Sequence, residues 1–120
     1  MLNRKVVIYI PSTVGSLKNQ HRVQENWVIQ ALERFSEWFG GATAQNAEGA
    51  WKSETQGLVR EKIVLVYAFT DPKTLSVKME NVRALARELA RDMHQECVSI
   101  ETVGVSGTTL EFEYPQKLAA

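Results

Sequence analysis

The chain has 120 residues, 44% of them hydrophobic, with 14 basic residues balanced by 14 acidic ones. This length suits one domain, and we expect a single domain over residues 1–120 with an ordered core of about 4–114. The balanced charge excludes a general attraction to a nucleic-acid polymer or to an anionic membrane. The apolar run at 6–10 is too short for a signal peptide or a membrane span, which predicts a soluble cytoplasmic protein, and 116–120 are expected to form a frayed tail.

Metal-binding and catalytic motifs are missing from the sequence. The single cysteine, Cys97, excludes an internal disulfide, and His21 and His94 are too widely separated for a structural zinc site. The sequence contains no G-x-S-x-G, P-loop or H-E-x-x-H pattern. We therefore expect no catalytic residue, no metal and no cofactor, and we predict that the chain is not an enzyme.

The beginning of the chain predicts a strand, a loop and a helix. Residues 5–10 are β-branched and aromatic, which predicts a strand that is apolar on both faces. Residues 11–22 are rich in Ser, Gly and Asn and predict a loop. Over residues 23–39 the apolar side chains recur at helical spacing, and Gly40 with Gly41 supplies a helix C-cap.

A β-hairpin follows the first helix. Residues 42–52 and 58–70 predict two strands around a loop at 53–57. Within the first of these strands, Gly49 predicts a bulge or a close backbone approach. In the middle of the second strand, the side chains on both faces are apolar. We therefore expect both of its faces to be covered.

The last part of the chain predicts a helix and a second hairpin. Thr74 or Ser76 can cap the helix, whose apolar stripe again has helical spacing. Residues 97–103 and 108–113 predict two strands that turn at 104–107.

The predicted element order is strand, helix, strand, strand, helix, strand, strand. Its first six elements match an α+β ferredoxin-like plan, βαββαβ plus a C-terminal strand, with two helices on one face of an antiparallel sheet. The other face of such a sheet is left open. Because two strands are apolar on both faces, we expect a second subunit to cover that face and infer a homo-oligomer.

The loop at 12–22 is a candidate anion site. It leads from a strand toward a helix N-terminus, where unpaired N–H groups favour phosphate, and Lys18 and Arg22 could add positive charge. The alternative is a solvated connector, since the glycine pattern of a dinucleotide fingerprint is missing.

Trp51 and Arg60 are candidate contacts in the hairpin. Trp51 could stack on a purine or pack as core. Arg60 shares one strand parity with Lys62, which places two cations toward the end of an apolar face. This pair could hold a pyrophosphate at a subunit interface or could bond to Glu48 or Glu61.

Phe69 and Asn81 form another candidate pair. An aromatic ring with an amide beside it can stack on a base and read its edge. The alternative is a core phenylalanine and a solvated asparagine.

Several short motifs resemble those of the phage-borne anti-Thoeris sponges, which sequester cyclic ADP-ribose signals. The motifs are I-Y-I-P-S-T (8–13), F-G-G-A-T (39–43), G-A-W (49–51) and G-L-V-R-E (57–61), followed by V-Y-A-F-T. The G-x-W and G-x-x-x-E hairpin is also similar to a broader group of bacterial domains.

The resemblance implies a phage anti-defence protein that acts in the cytoplasm of an infected bacterial host. It would bind, without cleaving, cyclic ADP-ribose isomers made by Thoeris TIR enzymes, and some relatives also hold cyclic oligonucleotides. It implies a homodimer or a hexamer built as a trimer of dimers. The positions that fit the family pocket are Phe69 for stacking, Asn81 for the amide and Arg60 for pyrophosphate. Secondary candidates are Arg83, Trp51, Lys18 and Arg22.

Two other functions remain open from the sequence. A small ferredoxin-like dimeric enzyme, such as a cofactor-independent oxygenase or isomerase, would need a polar base, for which only Asn46 or Asn81 is suitably placed. An RNA-binding module is disfavoured because the central strands lack the aromatic RNP signature and the chain has no net basic charge.

Overall fold

The computed structural model describes residues 1–115, which form five strands and two helices. In chain order these are β1 (Arg4–Ile10), α1 (His21–Phe39), β2 (Thr43–Ser53), β3 (Gly57–Thr70), α2 (Pro72–Asp92), β4 (Val98–Gly104) and β5 (Gly107–Glu113). All strand pairs are antiparallel, and their order across the sheet is β2-β3-β1-β4-β5. The predicted α+β ferredoxin-like fold is confirmed. The predicted tail at 116–120 lies outside the described residues.

The core lies between the two helices and one face of the sheet, here called the helix face. Alternate residues of β1, Val6, Ile8 and Ile10, are fully buried there because successive side chains of a strand point to opposite sides. Both helices bring apolar stripes onto this face, as their periodicity predicts. The fully buried helix residues include Ala31, Phe35, Val82, Leu85 and Leu89.

The opposite surface of the sheet, here called the open face, has no helix of residues 1–115 over it. Its apolar members on β1, β3, β4 and β5 include Val7, Ile63, Leu65, Tyr67, Phe69, Val103, Leu110 and Phe112. Val7, near the centre, is only 3% exposed, whereas Phe69 and Phe112 near the rim are 51% and 50% exposed. The expectation that both faces of β3 are covered is therefore not met within one chain.

Three local predictions differ from the structure. α1 begins at His21, two residues before the predicted start. Asp71, rather than Thr74 or Ser76, caps α2: its two carboxylate oxygens accept the Thr74 backbone N–H at 2.8 Å and the Thr74 hydroxyl at 2.8 Å. Gly49 forms no bulge, because the β2–β3 register continues through its pairing with Glu61, and a Cβ added there would meet no atom within 4 Å.

The two hairpins turn differently. Gly57 begins β3 with a φ of 71°, a left-handed conformation that glycine adopts without steric cost, as predicted. In the last hairpin Gly104 pairs with Gly107, so that only Val105 and Ser106 form the turn. Over residues 1–115, neither helix combines the length and the apolar character needed to cross a lipid bilayer.

Candidate functional site

The loop between β1 and α1 is an ordered structure held by backbone hydrogen bonds. Val14 and Leu17 exchange N–H to O bonds of 2.9 and 3.0 Å, which closes a tight turn around Gly15. The Gly15 N–H donates to the Met93 carbonyl at 2.9 Å and anchors the turn to the end of α2. These bonds anchor the loop to the end of α2, while its residues 15–19 are exposed to solvent.

Glu61 extends from β3 to this loop. Its Oε1 accepts the backbone N–H of Ser12 at 3.0 Å and the hydroxyl proton of Thr13, with 3.1 Å between the oxygens. Its second oxygen, Oε2, has no hydrogen-bond donor among residues 1–115. One carboxylate oxygen is thus fixed by the protein, and the other remains available to a ligand.

A cavity of about 320 Å³ lies beside this carboxylate, between the loop and the β2–β3 hairpin. Trp51, whose side chain is 51% exposed, forms part of its wall. The other lining residues are Ser12, Thr13, Gly15, Ser16, Lys18, Asn19, Ser53, Gln56, Val59, Arg60 and Glu61. The cavity therefore combines one aromatic ring, several hydroxyl and amide groups, two cations and one carboxylate.

A second cavity, of about 300 Å³, adjoins the first on the open face. Both cavities include Trp51 and Glu61 in their walls. The second is further lined by Tyr9, Pro11, Gly49, Ala50, Ile63, Gln95, Cys97, Val98 and Ser99. A ligand with two parts could occupy both cavities, with the Glu61 carboxylate between its parts.

Three of the residues predicted as ligand contacts line the first cavity: Lys18, Trp51 and Arg60. The exposed position of Trp51 excludes its role as core. Arg60 makes a two-pronged pair with Glu48, at 2.7 and 3.1 Å. The same hydrogen bonds lower the pKa of Glu48 and raise the pKa of Arg60. Binding of a phosphate by Arg60 would therefore compete with Glu48.

The remaining predicted contacts lie elsewhere in the protomer. Phe69 is nine residues from Arg60 along β3, a separation of about 30 Å. Asn81 is exposed on α2, on the helix side of the sheet, and Arg22 is exposed in the first turn of α1. Arg83 bonds to Glu111 at 3.0 Å, which raises the pKa of the guanidinium. One protomer does not bring Phe69, Asn81 and Arg60 together.

Phe69 borders a separate groove. This groove, of about 320 Å³, runs between Tyr67, Phe69 and the turn after α1. The Lys5 ammonium lies 4.4 Å from the centre of the Tyr67 ring and 5.8 Å from that of Phe69. The half-exposed Phe69 is thus not a core residue, and a cation lies beside it.

Glu61 and Thr13 were not predicted as site residues. Strand parity could have indicated Glu61, since it is a carboxylate on the same face as Val59, Ile63 and Leu65 and opposite a glycine. The contact with Thr13 has no comparable signal, because 48 residues separate the two. No group of three or more His, Cys, Asp or Glu residues within 1–115 is placed to hold a metal ion.

The structure thus defines a small α+β protein with a cavity beside a carboxylate. Two solved structures of a phage SAM lyase have a similar fold and are each 19% identical to this chain. The apo structure matches with a TM-score of 0.67, covering 98% of this chain and 93% of that one. The structure with S-methyl-5'-thioadenosine matches with a TM-score of 0.63, covering 98% of this chain and 94% of that one.

A further solved structure is more distant. The divalent cation tolerance protein CutA1 from Thermus thermophilus is 15% identical to this chain, with a TM-score of 0.47. The matched region covers 69% of this chain and 71% of the CutA1 chain. No protein-family model and no curated protein sequence matches the chain. The resemblance to the anti-Thoeris sponges thus has no support from a sequence family.

The prediction that the chain is not an enzyme is contradicted by these comparisons. Two solved structures that each match 98% of this chain belong to a lyase. The prediction failed because it relied on missing contiguous motifs, whereas active sites can assemble from residues that are dispersed in the sequence.

Proposed function

We propose that the protein is a lyase that acts on S-adenosylmethionine or a closely related sulfonium nucleoside. The observation that carries the proposal is the Glu61 carboxylate, fixed through Oε1 and facing a cavity beside Trp51. The shared fold with a phage SAM lyase supplies the reaction class. The two adjoining cavities match the two parts of such a substrate, a nucleoside and an amino-acid chain.

The charges and shapes of the site suit a cationic nucleoside. The face of a tryptophan ring attracts cations and stacks on purines, and a carboxylate attracts the sulfonium and ammonium groups. Each cavity lies within or close to the range of about 300–1,000 Å³ that is usual for small-molecule sites. Hydroxyl and amide groups around the first cavity are suited to the hydrogen-bonding groups of a ribose and an adenine.

The reaction requires no further reactant. The bond between the sulfonium sulfur and the amino-acid chain breaks, and its electron pair passes to sulfur, leaving neutral S-methyl-5'-thioadenosine. As this bond breaks, an oxygen of the fragment's own carboxylate bonds to the carbon that leaves sulfur and closes a lactone, so that the step needs no external base. Because the positive charge on sulfur decreases in the transition state, attraction by Glu61 is strongest in the bound substrate. We therefore expect Glu61 to contribute more to KM than to kcat.

The test is a turnover assay with Glu61→Gln, which keeps the size of the side chain and removes its charge. We expect the wild-type protein to convert S-adenosylmethionine into more S-methyl-5'-thioadenosine than there is enzyme, measured by liquid chromatography and mass spectrometry. Loss of a charged contact predicts a rise in KM of about tenfold or more for the variant. Glu54→Gln, in the exposed hairpin loop, is the matched control and should leave KM unchanged. A wild-type protein that neither binds nor consumes the compound would contradict the proposal.

A second candidate function is the binding of cyclic ADP-ribose isomers, for which Phe69 provides the specific observation. Its ring is half exposed beside the Lys5 ammonium and a groove of about 320 Å³. An aromatic ring with a cation next to it suits a base followed by a pyrophosphate. In a binding assay with cyclic ADP-ribose isomers, Phe69→Ala should weaken binding. In the turnover assay described above, the same variant should still convert S-adenosylmethionine. Equal loss of both activities would contradict a separate site.

The proposed partners and location follow from the same features. We propose that copies of the chain associate through the open face, whose apolar side chains include Val7, Leu65 and Phe112. Association would also cover the second cavity, which opens on that face. Since S-adenosylmethionine is a cytoplasmic compound, we place the protein in the cytoplasm of an infected bacterial host.

A further inference from the structure

Gln95 lies in the segment that joins α2 to β4, next to the candidate site. Its backbone N–H donates to the Ala90 carbonyl at 2.8 Å, which fixes the residue just beyond the helix end. Its side-chain amide nitrogen, which has two N–H donors, lies within hydrogen-bond distance of three oxygens: the Thr13 carbonyl at 2.8 Å, the Thr13 hydroxyl at 3.1 Å and the Met93 carbonyl at 3.0 Å. Two of these are carbonyls that can only accept, which establishes that the nitrogen of the amide faces the loop.

The contact of Gln95 with the Thr13 hydroxyl fits the direction of the hydrogen bond from Thr13 to Glu61. A threonine hydroxyl has one proton to donate, and it also accepts hydrogen bonds. Since Gln95 acts as donor to Thr13 Oγ1, the hydroxyl proton is free to point at Glu61 Oε1, 3.1 Å away. Because a carboxylate can only accept, Thr13 is the donor to Glu61, and Gln95 occupies the acceptor side of the same hydroxyl.

The same amide also holds the loop in place. Met93 O accepts both the Gln95 amide and the Gly15 N–H, so that the loop and the α2–β4 segment share one anchor. The Ser12 N–H, one residue before Thr13, is the second donor to Glu61 Oε1. Both protein contacts of the carboxylate therefore depend on the part of the loop that Gln95 holds.

We propose that Gln95 is a positioning residue that fixes the Glu61 carboxylate through Thr13 and leaves Oε2 facing the substrate. The inference rests on the proposed function, because the role of the carboxylate is to bind a cationic substrate. It adds to that function a residue that acts on the carboxylate through Thr13 and that also lines the second cavity. Gln95 and Thr13 are 82 residues apart in the sequence, and only the fold brings them together.

A double-mutant cycle tests the proposal with two variants that preserve side-chain size. Gln95→Met removes all the contacts of the amide, whereas Thr13→Val removes only the hydroxyl contacts and keeps the Thr13 carbonyl. Each single variant should lower kcat/KM by about tenfold, as expected for one lost hydrogen bond. The double variant should lose less activity than the product of the two single losses, because part of the effect of Gln95 passes through the Thr13 hydroxyl. Thr13→Ser keeps the hydroxyl and should retain most of the activity. Fully multiplicative effects of the two substitutions would overturn the proposal.

A second measurement does not depend on the substrate. Hydrogen exchange at the Ser12 amide reports its bond to Glu61, and Gln95→Met should accelerate this exchange by about tenfold. The Gly40 amide, which bonds to Ser36 at the end of α1, is the control and should be unaffected. Unchanged exchange at Ser12 would overturn the positioning role. If wild-type protein lacks activity on S-adenosylmethionine while exchange at Ser12 responds, the proposed function fails and the positioning role remains.

Discussion

At the scale of single residues, the open face contains one polar pair in apolar surroundings. The Tyr9 hydroxyl donates to Glu101 Oε1 at 2.6 Å. This hydrogen bond, together with partial burial and the negative charge of Glu101, raises the pKa of Tyr9 to about 12. The tyrosine therefore stays protonated in conditions where an ordinary phenol ionises. The Glu101 carboxylate thus has a hydrogen-bond donor, the Tyr9 hydroxyl, although both groups share this face with Val7, Leu65 and other apolar side chains.

The raised pKa predicts a separate step in a spectrophotometric titration of the tyrosines. Tyr9 should ionise near pH 12, about two units above an ordinary phenol, and Tyr9→Phe should remove that step. Because the folded value lies above the unfolded one, the pair stabilises the fold below about pH 10 and loses this contribution between about pH 10 and 12. Glu101→Gln should return the step toward pH 10. A wild-type titration in which all tyrosines ionise together would contradict this prediction.

At the scale of elements, the sequence predicted every helix and strand, because amphipathic spacing and β-branched runs are strong local signals. The errors occurred where tertiary contacts determine the outcome. Thr74 or Ser76 was predicted to cap the second helix, although the Asp71 carboxylate does so. Gly49 was predicted to form a bulge or a close backbone approach, yet it continues the ladder opposite Glu61. The contacts of Thr13 with Glu61 and Gln95 could not be predicted, since they join residues that are distant in sequence.

The cap of α2 can be tested by substitution. The pKa of Asp71 is lowered by the hydrogen bond from the Thr74 backbone N–H and by that from its hydroxyl. Asp71→Ala should lower the Tm by about 4 °C at neutral pH, whereas Asp71→Ser should lose less because serine also caps. Because the folded pKa is below the unfolded value, the carboxylate stabilises the fold above about pH 4, and the advantage over Asp71→Ala should decrease as the pH falls further. If calorimetry at pH 7 gave the same Tm for the wild-type protein and Asp71→Ala, the role of Asp71 as a cap would be excluded.

At the scale of the whole molecule, the sheet has one protected face and one open face. Apolar surface of this extent on a sheet is commonly covered by another copy of the chain. The first cavity lies beside the loop, whereas the second opens onto this face. Association and substrate binding are thus expected to be linked, because a neighbouring copy would enclose part of the site.

Self-association can be measured by size-exclusion chromatography with light scattering. We expect the wild-type protein to be larger than its 13.5 kDa chain. Leu65→Arg, which places a charge in the middle of the open face, should shift the protein toward monomer because an unpaired charge is costly to bury. Val105→Arg, in the exposed turn between β4 and β5, is the control and should leave the mass unchanged. A monomeric wild-type protein at all concentrations would contradict the proposed association.

The central position of β1 also has a consequence for synthesis of the protein on the ribosome. Residues 5–8 of β1 pair with 100–103 of β4, so the middle strand of the sheet is made early but obtains its second neighbour late. At about 5–20 residues per second, the delay is roughly 5–20 s. During that time the apolar strand β1 lacks β4, its second neighbour. Because the loop between the two strands is long, its closure slows folding. The sheet thus cannot be completed until β4 has been synthesised and becomes available for pairing.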